Sequence, residues 1–231
     1  MEEHPFTWLG AAGIESSTTA ALVTSSLVAV GLVAFALRVR ASLADTERAL
    51  EPESRITARG VAEVLTEGIV GIAEAGIGHH AERFVPLLGS FFVLILCSNL
   101  VGLLPGFSPP TSNINITLGL GLVAFVMYNA YGIGTHRHAY IKQFLGPMML
   151  MAPLMLVIEL VSHAFRPASL GIRLFANMFA DHQVLETFTG LTKLVVPVIF
   201  YAFGSFVCLV QAFVFTMLTA VYIGLAISHD H

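Results

Sequence analysis

The sequence predicts an all-α membrane protein. About five membrane-embedded helices are expected plus an amphipathic surface helix, with the last two helices long, tilted and paired as a hairpin. Three observations carry this expectation. The chain has 231 residues, of which 56% are hydrophobic and only 11% charged, and its mean hydropathy is +0.81; a soluble domain carries about a quarter charged residues. Its apolar residues gather into runs close to the roughly 20 needed to cross roughly 30 Å of hydrocarbon as a helix. Lysine and arginine collect in alternate segments between those runs.

The first run covers residues 18–37 and is followed at once by Arg38 and Arg40. The second covers 85–104 and ends at Pro105-Gly106, and the third covers 116–134, followed by His136, Arg137 and His138. A fourth region runs from 145 to 179 and a fifth from 194 to 228. The fifth, at about 1.5 Å per residue, is too long for an upright span, and a long stretch tilts, kinks or leaves the bilayer. The fourth is also long, and the spacing predicts a hairpin of these two with its turn near 186–192. Between runs one and two, Val61, Leu65, Ile69, Ile72 and Gly76 recur at helical spacing, with Arg59, Glu63, Glu67 and Glu74 on the other side. That pattern predicts an amphipathic helix, lying on the membrane surface or packed on a partner.

Charge sets the orientation. Arg38, Arg40, Arg48, Arg55, Arg59 and Arg83 fall between runs one and two, Arg137 and Lys142 between runs three and four, and only Lys193 on the other side. Cytoplasmic loops carry the excess of positive charge. An outer N-terminal segment (1–17) is therefore expected, then the first span (18–37), a cytoplasmic loop with the amphipathic helix (38–84), and helices 85–231 that end in the cytoplasm, all in one membrane domain. A bacterial plasma membrane suits this topology. No basic block points to nucleic acid. Cys97 and Cys208 lie in apolar runs and read as small buried hydrophobes.

The chemistry centres on Arg173. An arginine in hydrocarbon costs at least about 2.5–3.5 kcal/mol, so its default reading is functional. At 100° per residue, Glu159, Ser162, Arg166, Ser169, Asn177 and Ala180 fall within about 40° of it, one narrow stripe on an apolar helix. Pro167 is expected to kink this helix. Mutual pairing explains Glu159 and Arg166 better than Arg173, which has no carboxylate one turn away and so looks to a partner for an anion. Glu159, Ser162 and His163 lie toward the cytoplasm. Asn177, Asp181, His182 and Glu186 lie toward the outside. Both groups can hold protons or water, and histidine suits proton relay at ordinary pH. Arginine stays charged at all relevant pH, so it interrupts a proton wire rather than extending it.

Three stretches in order resemble one family. Pro167-Ala168-Ser169-Leu170-Gly171-Ile172-Arg173-Leu174-Phe175-Ala176-Asn177-Met178 closely resembles the signature of subunit a of F-type ATP synthases. Gln211-Ala212-Phe213-Val214-Phe215-Thr216-Met217-Leu218-Thr219 resembles that family's last helix, and Pro110-Thr111-Ser112-Asn113-Ile114-Asn115 its outer loop. The resemblance runs from about residue 60 to the C-terminus. It implies that Arg173 is the essential charge facing the carboxylates of a rotating ring of c subunits. It also implies peripheral-stalk b subunits as further partners, and two aqueous half-channels separated by Arg173. His182, Asp181, Asn177, Gln211 and Glu186 would belong to the outer path, and Glu159, Ser162 and His163 to the inner one. The sequence departs from the family pattern at Asn113, where an aspartate is usual, and at Asp181, where a small residue is usual. Gly204 stands where members with an outer glutamate often carry histidine, so His182 would do the work of that pair.

Other groups carry less. His79, His80 and Glu82 lack a paired metal motif, His136 and His138 flank a loop arginine, and His229, Asp230 and His231 form a polar tail. Tyr222 and Thr219 line the inner path or pack. No cofactor or metal is expected. No glycine-rich phosphate loop occurs, so the chain is not expected to be an enzyme by itself, and ATP chemistry belongs on other subunits. The alternatives are a self-contained ion channel or secondary transporter, which predicts an internal repeat or broken helices, and a membrane protease, which predicts a nucleophile or metal motif. Neither pattern is present.

Overall fold

A computed structural model describes residues 7–11, 13, 16–42, 57–78, 81–136, 152–191 and 195–227. Among the described residues, six long helices carry the fold: α1 Ser17–Ser42, α2 Ala58–Ile77, α3 Val85–Val101, α4 Ile114–His136, α5 Ala152–Leu191 and α6 Val195–Ile227. Single turns precede α1 (Trp8–Ala11), α3 (Ala81–Phe84) and α4 (Pro110–Ser112). Among the described residues there is no strand. This all-α form follows from the solvent, because in hydrocarbon a backbone must satisfy its own hydrogen bonds.

Local signals set the boundaries. Thr57 caps α2, its side chain accepting from the Gly60 amide at 3.2 Å. Pro86 sits in the first turn of α3, where its missing N–H costs nothing. Asn113 opens α4, its Oδ1 accepting from the Asn115 amide at 3.0 Å. Helix α5 passes through Pro167 unbroken, a tolerance common in membrane helices.

Among the described residues, four helices are long and apolar enough to cross a membrane: Ser17–Ser42, Ala81–Val101, Ile114–Thr135 and Val198–Ile227. Helix α5 is not among them because its polar stripe lowers its hydropathy, yet at 40 residues it spans about 60 Å at 1.5 Å per residue. It and the 33-residue α6 therefore tilt, bend or extend beyond the hydrocarbon. They form the expected antiparallel hairpin, but its turn lies later than predicted. Glu186 is still helical, the first helix of the pair runs on to Leu191 and the second begins at Val195; residues 192–194 lie outside the described residues.

Helix α6 is the centre of the bundle, packed on α2, α3, α4 and α5. Phe91 of α3 meets Phe215 of α6 at 5.6 Å between ring centroids. Between membrane helices such contacts rest on close fit rather than on water exclusion. Helices α4 and α5 approach most closely at Gly121 and Gly171. A Cβ on Gly121 would lie 2.5 Å from the Pro167 carbonyl oxygen, and one on Gly171 would lie 2.9 Å from Leu118 Cα.

Helix α2 buries Ile69, Ile72 and Ala73 against α3 and α6, so the later part of its apolar side is covered within the chain while Val61 stays exposed. Glu63, Glu67 and Glu74 are exposed as expected. Arg59, expected on that polar side, is instead buried and pairs with Glu63 at 2.6 Å. Its aliphatic stem packs while its charge finds a carboxylate one turn on. Arg48, Arg55, His79, His80, Arg137, His138, Lys142, Lys193 and residues 228–231 lie outside the described residues, as does the His136 side chain. Cys97 and Cys208 are free thiols, half-buried and buried.

Candidate functional site

Helix α5 turns Leu170, Leu174, Met178 and Leu185 inward. The opposite face carries the stripe: Ser162, Ser169, Arg173, Asn177 and Ala180 are exposed, and Glu159 and Arg166 half-buried. Arg173 makes no hydrogen bond or ion pair among the described residues. Such a cation at membrane depth calls for an anion from outside the chain.

Toward the N-terminal end of α5, Arg166 reaches Glu159 at 3.7 Å and lies over the Tyr222 ring at 5.4 Å. The pairing of Glu159 with Arg166 weighed from the sequence is thus present, direct but long. His163, grouped with Glu159 and Ser162 by sequence, points the other way. It is buried against α4, its Nε2 2.8 Å from Asn129 Oδ1 and 3.4 Å from Tyr128 OH. Its ring meets Phe125 and Tyr128 edge-on.

One turn past Arg173, Asn177 Nδ2 donates to Gln211 Oε1 at 2.7 Å. Gln211 is buried on α6, so this bond ties the stripe to the neighbouring helix. Farther out, His182 Nε2 lies 3.3 Å from Glu186 Oε1. Both line a cleft of about 290 Å³ with Thr7, Pro105, Gly106 and Tyr201. Trp8 is tied to two of the lining residues, its amide donating to the Gly106 carbonyl at 3.1 Å and its indole N–H to the Pro105 carbonyl at 3.3 Å. Asp181 turns toward α6 at Gly204. A Cβ on Gly204 would sit 2.9 Å from Asp181 Oδ2, so the carboxylate uses space that only glycine leaves.

Behind the cleft lies a cavity of about 10 Å³ lined by Asn99, Leu103, Met178, Asp181, His182 and Cys208. Asn99 of α3 is 1% exposed, and its Oδ1 accepts from Thr111 Oγ1 at 2.6 Å. Asn99 Nδ2 and His182 Nδ1 are buried with no partner among the described residues. Among those residues no cluster of His, Cys, Asp and Glu is suited to a metal ion.

Residues 22–224 match the family described as ATP synthase A chain. The chain belongs to the ATP synthase A chain family. It is similar to the ATP synthase subunit a of Bdellovibrio bacteriovorus, 46% identical over 220 residues that cover 95% of each chain. The ATP synthase subunit a of Geobacter sp. strain M21 is 38% identical over 219 residues, 95% of this chain and 92% of the relative. That of Sorangium cellulosum is 37% identical over 221 residues, covering 95% and 87%. With four helices among the described residues fit to cross a membrane, the chain is an integral membrane subunit of an ATP synthase.

Sequence reasoning missed Asn99, Tyr128 and Asn129 of this ATP synthase A chain. The signal for Asn99 was present, since a lone amide inside an apolar run is costly in hydrocarbon. Tyr128 and Asn129 show no such isolation, because their importance comes from α4 lying beside His163.

Proposed function

We propose that this ATP synthase A chain carries protons across the membrane in two half-paths separated by Arg173, loading and unloading the carboxylates of a rotating c ring. The observation that carries the reading is Arg173 itself: an exposed cation without an ion pair among the described residues, between two groups of proton-holding side chains on one helix. The outer path takes in Glu186, His182, Asp181, Asn177 and Gln211. The inner path takes in Glu159, Ser162 and His163. Residues 85–231 form the path, and peripheral-stalk b subunits hold the chain against the ring. The N-terminus is outside and the C-terminus cytoplasmic, in a bacterial plasma membrane.

A proton arriving from outside neutralises a ring carboxylate just released from Arg173. The neutral carboxyl then faces lipid at a far lower cost than an ionised one. After nearly a full turn it loses its proton inward, and Arg173 attracts the anion and blocks a direct leak. Each proton yields about 2.3 kcal/mol per 100 mV.

Cross-linking tests the facing surface. In a Cys97→Ser, Cys208→Ser background, Ser169→Cys on the exposed stripe is expected to cross-link under mild oxidation to a cysteine placed beside the ring carboxylate. Absence of any product along the stripe, with the complex assembled, contradicts the reading.

A further inference from the structure

We propose that one ordered water, seated by the Asn99 amide, joins His182 Nδ1 to the Asp181 carboxylate, and that Asn99 is thereby a positioning residue of the outer proton path. The proposal rests on the half-path reading above and names a component of it. Two independent observations point to the water. The cavity between Asn99, Asp181 and His182 has about 10 Å³, at the lower limit of about 10–15 Å³ that one water needs. Two buried nitrogens on its walls, Asn99 Nδ2 and His182 Nδ1, have no partner among the described residues. Leaving a buried polar group unsatisfied is costly, and a bridging water removes that cost.

The donors and acceptors fit. Thr111 Oγ1 donates to Asn99 Oδ1, which holds the amide with Nδ2 as its free donor. An ionised Glu186 only accepts, so the 3.3 Å contact puts the hydrogen of neutral His182 on Nε2 and leaves Nδ1 an acceptor. A water in the cavity accepts from Asn99 Nδ2–H, donates one hydrogen to His182 Nδ1 and the other to Asp181. Three partners are the usual number for a buried water.

The same geometry moves a proton. When the His182 ring turns Nδ1, the nitrogen with the free lone pair, toward the cleft, Nδ1 takes up a proton there, and the ring turns back as an imidazolium with N–H on both nitrogens. The Nδ1–H bond breaks as an O–H bond forms on the water. The water's other O–H bond breaks as the proton joins Asp181. Imidazole and water are restored, and Asp181 carries the proton one step toward Gln211 and Arg173. Asn99 takes no proton; it fixes where the water stands.

The test uses the whole complex in inverted vesicles, stripped of the soluble ATP-hydrolysing part, with passive proton conduction measured at matched amounts of this subunit. Asn99→Leu keeps the volume and removes the donor; conduction is expected to fall about ten-fold or more, less than the roughly hundred-fold that loss of a proton-transfer group itself commonly costs, because Asn99 only positions the water. Asn99→Ser keeps a hydroxyl and leaves room for a second water; conduction is expected to stay within about three-fold of native, since water-mediated bonds are nearly as good as direct ones. A packing role orders the two variants the other way, because leucine fills the space and serine leaves a gap. Conduction by Asn99→Leu at the native rate, or by Asn99→Ser no faster than Asn99→Leu, overturns the proposal. Should Asn99→Leu not accumulate, Thr111→Val provides the second variant. It frees the amide and is expected to slow conduction several-fold with Asn99 intact, and native conduction there overturns the proposal. Arg173→Ala distinguishes the two levels: if it blocks ATP-driven pumping while Asn99→Leu conducts normally, only the water is wrong, and if it pumps normally the half-path reading itself fails.

Discussion

Asn177 Nδ2 donates a 2.7 Å hydrogen bond to Gln211 Oε1, and this bond is the middle of three contacts that set the register of the last two helices. Phe188 stacks on Phe200 on the side nearer the hairpin turn, and Arg166 covers Tyr222 on the far side. The steps are equal on both helices: 188 to 177 to 166, and 200 to 211 to 222, eleven residues each. Eleven residues are close to three full helical turns, so the three contacts fall on one antiparallel seam.

The seam makes a measurable coupling. A double-mutant cycle of Asn177→Ala and Gln211→Ala, followed by thermal dissociation of the solubilised complex, is expected to give about 0.6 kcal/mol and no more than about 1.7, the range for hydrogen bonds between membrane helices. Strict additivity of the two changes would place the amides in contact without interaction.

The glycine contact between α4 and α5 is expected to be more costly to disturb. Gly171→Leu drives a side chain into Leu118 and Thr117, and overpacking costs about 1–3 kcal/mol. The variant should dissociate at lower temperature and accumulate less, whereas Ser169→Ala on the exposed face should do neither. Equal stability of the two would deny that α5 is held by this face.

Much of this was legible in sequence. The apolar runs gave the helices, because hydrocarbon leaves the backbone few other forms. The 3.6-residue period gave the stripe of Arg173, and the structure leaves that stripe outward. The hairpin was legible from the length of its two helices, but its turn was not. Polar residues near 186 imitate a loop, yet here they face a cleft within a continuing helix. The sequence grouped His163 with Glu159 and Ser162 by position along the chain and was silent on its face; only α4 explains where it points. Arg59 was hidden for a related reason: whether a charge on an amphipathic helix meets solvent depends on what packs beside it.

Gly204 carries a third prediction. Gly204→Ala places a methyl 2.9 Å from Asp181 Oδ2 and 3.0 Å from Leu103, which displaces the carboxylate. Proton pumping is expected to fall several-fold with assembly intact, and general acid–base partners commonly contribute at least about a hundred-fold when lost outright. Asp181→Ala should fall at least as far. If Gly204→Ala pumps normally while Asp181→Ala does not, the carboxylate works from a different position.

A fourth concerns the outer pair. Asp181→Asn combined with His182→Ala should slow gradient-driven and ATP-driven proton flow before it affects assembly. Normal rates in the double variant would remove both residues from the path.

The most direct measurement is ATP-driven proton pumping in inverted membrane vesicles, comparing the native chain with Arg173→Ala at matched assembly. The account expects pumping to be lost while the soluble part still hydrolyses ATP, because no other exposed cation lies between the two groups of proton-holding side chains on α5 among the described residues. Pumping at the native rate would contradict it and return Arg173 to a structural role.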